Sequence, residues 1–404
     1  MRSGASIELF AYPWDIVDRG VGAFVDECAG LGVNRLHVTT LYHSGKFLLP
    51  RRRRQRVYSP ESGHLLIPLP EAAFAGPIRP RVSASASSGW LEDLAKASRD
   101  RGIDLAAWTV FHHGSTLAAG HPDLTIRNVF GDAYPFAVCP SHRAVADYSL
   151  ALAKAVWGTG VFQTLDLETI GYLGYAHGHH HEVTAVPAGP LENFLLSLCF
   201  CPACKENGQR DGIPMERLRG ELERVLMAKL RADDAAGRHP DNMEQVSTLM
   251  ALNPDLQQLI RLRVRTVSEL VRRIRDVVQG GELSVFTSSF VGSPSNIWME
   301  GVSLPELRQV ADTFHLLAYT PDTDAVNGDL VFCLAQVEDA ARLNLTLNLG
   351  LPITPDLGHA MGKIEFAWKL GVRRFAFFNY GFLGEGRLRW IGEISAALQS
   401  KGTA

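Results

Sequence analysis

Residues 21–42 read VGAFVDECAGLGVNRLHVTTLY. Val21–Leu31 carries apolar residues at helical spacing, Gly32 follows as a C-cap, and Arg35–Tyr42 is a short apolar run rich in β-branched residues. A helix that stops on glycine and feeds a strand a few residues later is one joint of a βα repeat, in which helices cross over between parallel strands. The joint recurs at Arg101-Gly102 before Asp104–Phe111 and at Leu370-Gly371 before Phe375–Tyr380.

Outward from that unit, the pattern predicts eight strands: Ile7–Tyr12, Arg35–Tyr42, Asp104–Phe111, Phe162–Glu168, Leu283–Ser289, Phe314–Tyr319, Thr346–Leu351 and Phe375–Tyr380. Amphipathic segments separate them at Val21–Leu31, Trp90–Arg101, Ala144–Val156, Pro305–Asp312, Leu330–Leu343 and Asp356–Leu370, and a helix at Leu388–Leu398 closes the chain. An extended helical region covers about 215–278. Eight such units predict an α/β fold, a (β/α)₈ TIM barrel occupying 1–404 as one domain. The alternative is an open doubly wound sheet, but no Gly-x-Gly-x-x-Gly opens a helix after the first strand. Two connections exceed the usual few residues, about 43–89 after strand two and about 169–214 after strand four. Both leave C-terminal strand ends, the catalytic face of such a barrel, and read as substrate-shaping loops. The first contains Arg51-Arg52-Arg53-Arg54-Gln55-Arg56, either a grip for an anionic group or a solvated charge run.

A net charge of -3 gives no global attraction to nucleic acid, and no run approaches the roughly 20 apolar residues of a membrane span. The first ten residues lack the charged and apolar regions of a signal peptide. A cytoplasmic protein is therefore expected, without an organic cofactor, and a homo-oligomer stays open. The six cysteines are too few and too clustered for a secreted disulfide framework.

Residues two apart on a strand share a face, so Asp166 and Glu168 point the same way at the end of strand four. A carboxyl held at a barrel mouth beside a second carboxylate has its pKa raised toward the range of a general acid, as glycosidic cleavage requires. Glu168 is the expected proton donor, with Asp166 as nucleophile, base or electrostatic support. Other strand ends carry Asp15, His37, Tyr42, His43, Trp108, His112, His113, Ser288, Ser289, His315, Tyr319, Asn348, Asn379 and Tyr380. Such hydrogen-bonding and stacking groups suit a small carbohydrate; for His37 and His315 a core role is at least as natural. Tyr172 and the loop residues His177, His180, His181 and Glu182 complete the expected sugar-binding set, a catalytic metal and an inert exposed loop being the other readings of the histidines. Cys199-x-Cys201-x-x-Cys204 offers three soft ligands at turn spacing, and Cys139, on the neighbouring loop, is the candidate fourth for a structural zinc. Three reduced cysteines in a buried turn are the alternative.

Val138-Cys139-Pro140-Ser141, then a strand ending Asp166-Leu167-Glu168, then Cys199-Phe200-Cys201-Pro202-Ala203-Cys204 resembles the layout of the zinc-containing β-galactosidases of the clan A glycoside hydrolases. The resemblance spans about Val138–Lys205 and implies that Glu168 is the acid/base and that Cys139, Cys199, Cys201 and Cys204 bind zinc. That family has Asn before the acid/base and a nucleophilic Glu ending strand seven, where this chain has Leu167 and Asn348-Leu349-Gly350. Asp166-x-Glu168 with Tyr319 is also similar to the chitinase pattern of acid, supporting Asp and steadying Tyr. The chain thus resembles a divergent glycoside hydrolase, with a non-hydrolytic sugar isomerase or lyase and an inactive carbohydrate-binding barrel as alternatives. Glu300, Asp322, Asp324 and Glu385 are the candidates for a missing second acid.

Overall fold

The computed structural model describes residues 4–87, 89–176, 188–231, 243–287 and 293–402. Eight parallel strands close into a barrel. Numbering the barrel strands alone, they are β1 Ser6–Ala11, β2 Arg35–Leu41, β3 Asp104–Val110, β4 Thr164–Glu168, β5 Glu282–Phe286, β6 Thr313–Ala318, β7 Leu343–Asn348 and β8 Arg374–Phe378. Each pairs with its sequence neighbours, and β8 closes on β1. All eight expected strands are present, and the fold is the expected (β/α)₈ barrel.

The period of two explains the layering. In β7, Leu343, Leu345 and Leu347 belong to the large core shared with the surrounding helices, while Asn344 and Thr346 are buried on the opposite, barrel-facing side. Full burial of each leucine contributes roughly 1.5–3 kcal/mol. The helix-to-strand joints are closed by one device. At φ +76°, Gly32 donates to the Ala29 carbonyl while the next N–H, from Val33, reaches back to Cys28. Gly371, at φ +95°, repeats the pattern with Trp368 and with Val372 to Ala367.

Three features differ from the sequence expectation. A third long connection follows β3, where Thr125–Arg127 and Ala133–Val138 form an antiparallel hairpin too short to show periodicity. The segment expected at Leu330–Leu343 is a helix over Thr323–Val337, because Asp322 caps it by accepting from the Ala325 N–H at 3.0 Å. The expected helix Pro305–Asp312 is one turn, Leu304–Leu307. Helices Pro190–Leu196, Met215–Leu230, Met243–Leu252 and Pro254–Val277 pack round a second apolar cluster that includes Phe194, Leu222 and Leu259. No helix among the described residues is long and apolar enough to cross a membrane.

Candidate active site

The lower half of the barrel is charged. Glu8 accepts from His37 Nε2 at 2.8 Å, Asn344 Nδ2 at 2.6 Å and Arg374 Nε at 3.2 Å. His37 Nδ1 lies 2.6 Å from Asp166 Oδ2, His315 Nε2 lies 3.6 Å from Asp166 Oδ1, and Arg35 and Arg374 both bond Glu282. Burial opposes charge on Asp166, yet His37 and His315 hold its pKa well below the ordinary carboxylate value. Burial likewise disfavours a charged His37, but Asp166 and Glu8 outweigh it and raise its pKa. With His37 protonated, Glu8, Asp166 and Glu282 balance His37, Arg35 and Arg374. His37, Asp166 and His315 also bring ligand atoms within 4.8 Å of one another. Both nitrogens of His37 and Nδ1 of His315 are committed to Glu8, Asp166 and Thr346, so this is a hydrogen-bond network rather than an open ligand set.

His37→Leu would remove the shorter partner of buried Asp166 and one of three partners of buried Glu8, and is expected to cost about 3–5 kcal/mol, read from denaturant midpoints. An unchanged midpoint would remove the network from the account of stability. The raised folded pKa of His37 makes its contribution fully present below its unfolded value, about 6.5, and lost as pH rises through the folded value.

Above this layer lie Phe10, Trp108, Phe286 and Phe378, with Phe10 stacked on His37 at 4.3 Å and Phe286 on His315 at 4.5 Å. Over them opens a cavity of about 530 Å³. Its lining includes Tyr42, His43, Trp108, Glu168, Tyr319, Phe378 and, from the helix Thr323–Val337, Asp329. Glu168 and Asp329 are its only carboxyl groups among the described residues. Glu168 accepts from the Trp108 indole N–H. Burial, with the Asp166 charge below, raises its pKa to about 7 against the opposing pull of Trp108. Two inward acids two residues apart are thus driven apart, the lower held ionised and the upper held protonated near neutrality. The next residue, Thr169, sits at φ +53°, a strained conformation for a β-branched residue, of the kind found beside functional groups. Burial lowers the His43 pKa to about 4 despite its bond to the Ser44 carbonyl, so this ring is neutral. Asp329 is held by the Ser293 and Ser295 hydroxyls, the second at 2.5 Å.

Of the expected site, the structure brings Glu168, Tyr42, His43, Trp108 and Tyr319 to this cavity. It removes others. Asp166 lies one strand period deeper, fully buried, and does not line the cavity. His112 turns outward to Ser149 and the Gly171 carbonyl. His113 stacks on His43 at 3.9 Å but faces a different cavity. Tyr172 bonds Ser141 at 2.7 Å beneath Arg263. Asn348 and Asn379 are turned to local turns, accepting from the Gly350 and Gly381 N–H groups. Asp15 and Tyr380 line a separate cavity. His177, His180, His181 and Glu182, like Ser288 and Ser289, lie outside the described residues. None of the four candidates for a second acid reaches the cavity: Asp322 is a helix cap, Glu385 borders the cavity of Asp15, and Glu300 and Asp324 line neither. Asp329 was not anticipated, because the sequence pattern starts its helix one residue later, at Leu330; the Asp322 cap was the available signal.

The four cysteines of the zinc expectation are buried together, their sulfur atoms within 4.8 Å of one another. Cys139 Sγ lies 3.5 Å from Cys204 Sγ and 3.7 Å from Cys199 Sγ. A tetrahedral metal with bonds of about 2.3 Å to sulfur needs sulfur separations of about 3.8 Å, whereas a disulfide needs about 2.05 Å. The donor set therefore fits a soft metal ion. Cys201 N-caps the helix Pro202–Arg210, with Pro202 in its first turn.

No protein-family model matches the chain, and no curated protein matches it by sequence. Solved structures do resemble it. The barrel has the fold of glycoside hydrolases. The β-galactosidase of Marinomonas ef1 aligns at TM-score 0.56 and 10% identity over 98% of this chain and 60% of its own. The β-galactosidase of Halorubrum lacusprofundi gives 0.55 and 11% over 97% and 58%, and α-L-fucosidase isoenzyme 2 of Paenibacillus thiaminolyticus 0.50 and 12% over 94% and 46%. The chain thus spans three fifths of those proteins or less, and at these identities the likeness is one of fold.

Proposed function

We propose that the protein is a glycoside hydrolase acting on a small glycoside, with Glu168 as general acid and Asp329 as the second carboxylate. The observation that carries this is the cavity itself: two carboxyls among aromatic rings, one of them protonated near neutrality. Protonated Glu168 gives its proton to the glycosidic oxygen as the bond to the anomeric carbon breaks. Water adds to that carbon and its proton passes to Asp329, so the net change is hydrolysis. Tyr42, Trp108 and Phe378 offer ring faces to the sugar's C–H faces, and neutral His43 and Tyr319 offer hydrogen bonds. Burial keeps Glu168 protonated, and Asp166 is a positioning residue whose fixed charge adds to that effect. The four-cysteine cluster would hold a structural zinc, and thiols of this kind persist in a reducing compartment such as the cytoplasm.

The test is release of nitrophenol from a panel of aryl glycosides. Asp329→Asn is expected to lower turnover of any hydrolysed member about 100-fold or more while Glu168 keeps its pKa, seen as an unmoved alkaline limb. Hydrolysis untouched by Asp329→Asn would remove that residue from the mechanism. The replacement of an acid by Asn348 at the end of β7 favours a second reading, a barrel that binds sugar without cleaving it. Binding of a sugar with no hydrolysis of any panel member would select that reading.

A further inference from the structure

The arginine run after β2 is neither extended nor wholly solvated. It forms the turn of the hairpin Phe47–Leu48/Val57–Tyr58, closed by the Leu49 N–H donating to the Arg56 carbonyl at 2.7 Å. This turn, the helix Pro13–Arg19 and the start of the helix Glu385–Gly402 enclose a cavity of about 400 Å³, lined by five guanidinium groups and four carboxyls.

Two of the five are committed. Arg19 and Arg51 both pair with Glu27, at 3.0 and 3.5 Å, and Arg51 also donates to the Leu383 and Tyr380 carbonyls at 2.9 Å. Arg52 differs. Its guanidinium lies 4.6 Å over the Tyr58 ring, its side chain is 15% exposed, and Nε and Nη1 are buried without a hydrogen-bond acceptor. Asp18 pairs with it only at 3.6 Å from Nε, an ion pair too long for a hydrogen bond. Arg53 and Arg389 face the same space with no ion pair among the described residues. Leaving guanidinium N–H groups buried and unpaired is costly unless a ligand completes them.

We propose that this cavity binds a phosphoryl group, as inorganic phosphate or as the monoester of a small sugar, through Arg52, Arg53 and Arg389. Three guanidinium forks ask for an anion with at least three terminal oxygens, which a phosphate monoester supplies and a carboxylate does not. The volume admits the phosphoryl group with a small organic part. The opposing acids are Asp18, Glu385 and Asp15. Asp15 packs so closely on Gly381 that a Cβ there would meet its Oδ2 at 2.5 Å, and burial lifts its pKa to about 7, so it accepts a proton where it would otherwise repel the ligand. Through its N–H, Tyr12 holds Asp15, and its ring lies 5.2 Å from that of Trp108, so one buried residue links a lining group of this cavity to a lining group of that of Glu168.

Titration calorimetry of the full chain with inorganic phosphate, a hexose 6-phosphate and the unphosphorylated hexose tests the site. At least one phosphate is expected to bind with Kd below about 1 mM, weakened about tenfold or more by Arg52→Gln and by Arg53→Gln, and unchanged by Glu168→Gln. Arg53 is exposed, so its variant keeps the test valid should Arg52→Gln fail to fold. A hexose phosphate that binds tenfold or more tighter than inorganic phosphate identifies a phosphorylated sugar, and equal binding identifies free phosphate. Neither phosphate binding at about 10 mM, or binding indifferent to both arginine variants, overturns the proposal.

Discussion

Glu168→Gln is expected to lower turnover of a hydrolysed glycoside by about 10²–10⁴-fold and leave KM nearly unchanged. Glutamine keeps the shape and still accepts from the Trp108 indole, so binding survives, but it has no proton to give. The loss should shrink for glycosides with acidic leaving groups, which need little protonation. In the wild-type protein, glycoside turnover should fall as pH rises through about 7, where Glu168 ionises. The same residue makes a stability prediction of known sign. Its folded pKa lies above its unfolded one, so the folded state is favoured below the unfolded pKa and loses that advantage as pH rises through the folded value. Above neutrality Glu168→Gln should therefore unfold at a higher temperature than wild type, a gain in stability joined to a loss of activity. Turnover that survives the substitution on a substrate with a poor leaving group would end the acid assignment.

The barrel was legible because short apolar runs bounded by turn residues recur between helical segments, and one of them alternates strictly. Leu343-Asn344-Leu345-Thr346-Leu347 on β7 leaves no doubt which side meets the helices, and glycine caps mark where each strand begins. Glu168 was legible for a related reason, since a carboxylate ending a buried strand has few structural uses. Depth along the barrel axis was not legible. Asp166 and Glu168 share a face, but one strand period puts the first into a salt-bridged layer and the second into a cavity. That layer depends on Glu8, Arg35, Glu282 and Arg374 meeting from four strands, a coincidence of register that no local pattern records. Side-chain direction beyond strand ends was equally hidden: His112, two residues past β3, turns out to Ser149, and Tyr380 turns to Glu27.

Replacing Cys201 by Ser is expected to remove bound metal from the purified protein and to lower stability by on the order of 4 kcal/mol or more. As thiols, the cluster is electrostatically awkward. Burial holds Cys139 protonated, while hydrogen bonds from Cys139, then Cys199 and Cys204, draw Cys201 toward the thiolate, leaving a buried negative charge. A divalent ion resolves this by taking all four sulfurs as thiolates, and the helix N-terminus at Cys201 favours the same state. The cluster joins the end of the hairpin Thr125–Val138, through Cys139, to the helix Pro202–Arg210, through Cys204. Close by, Tyr172 bonds Ser141 and lies under Arg263, which donates to the Ser197 and Met299 carbonyls at 3.0 and 2.7 Å. Loss of the ion should therefore loosen the rim beyond β4 before the barrel itself, appearing as amide exchange that rises first in Pro202–Arg210. Metal analysis is expected to return about one equivalent of zinc, falling as pH drops and thiols compete for protons. Less than about half an equivalent under metal-replete conditions, with Cys201→Ser as stable as wild type, would show the four thiols to be core residues only.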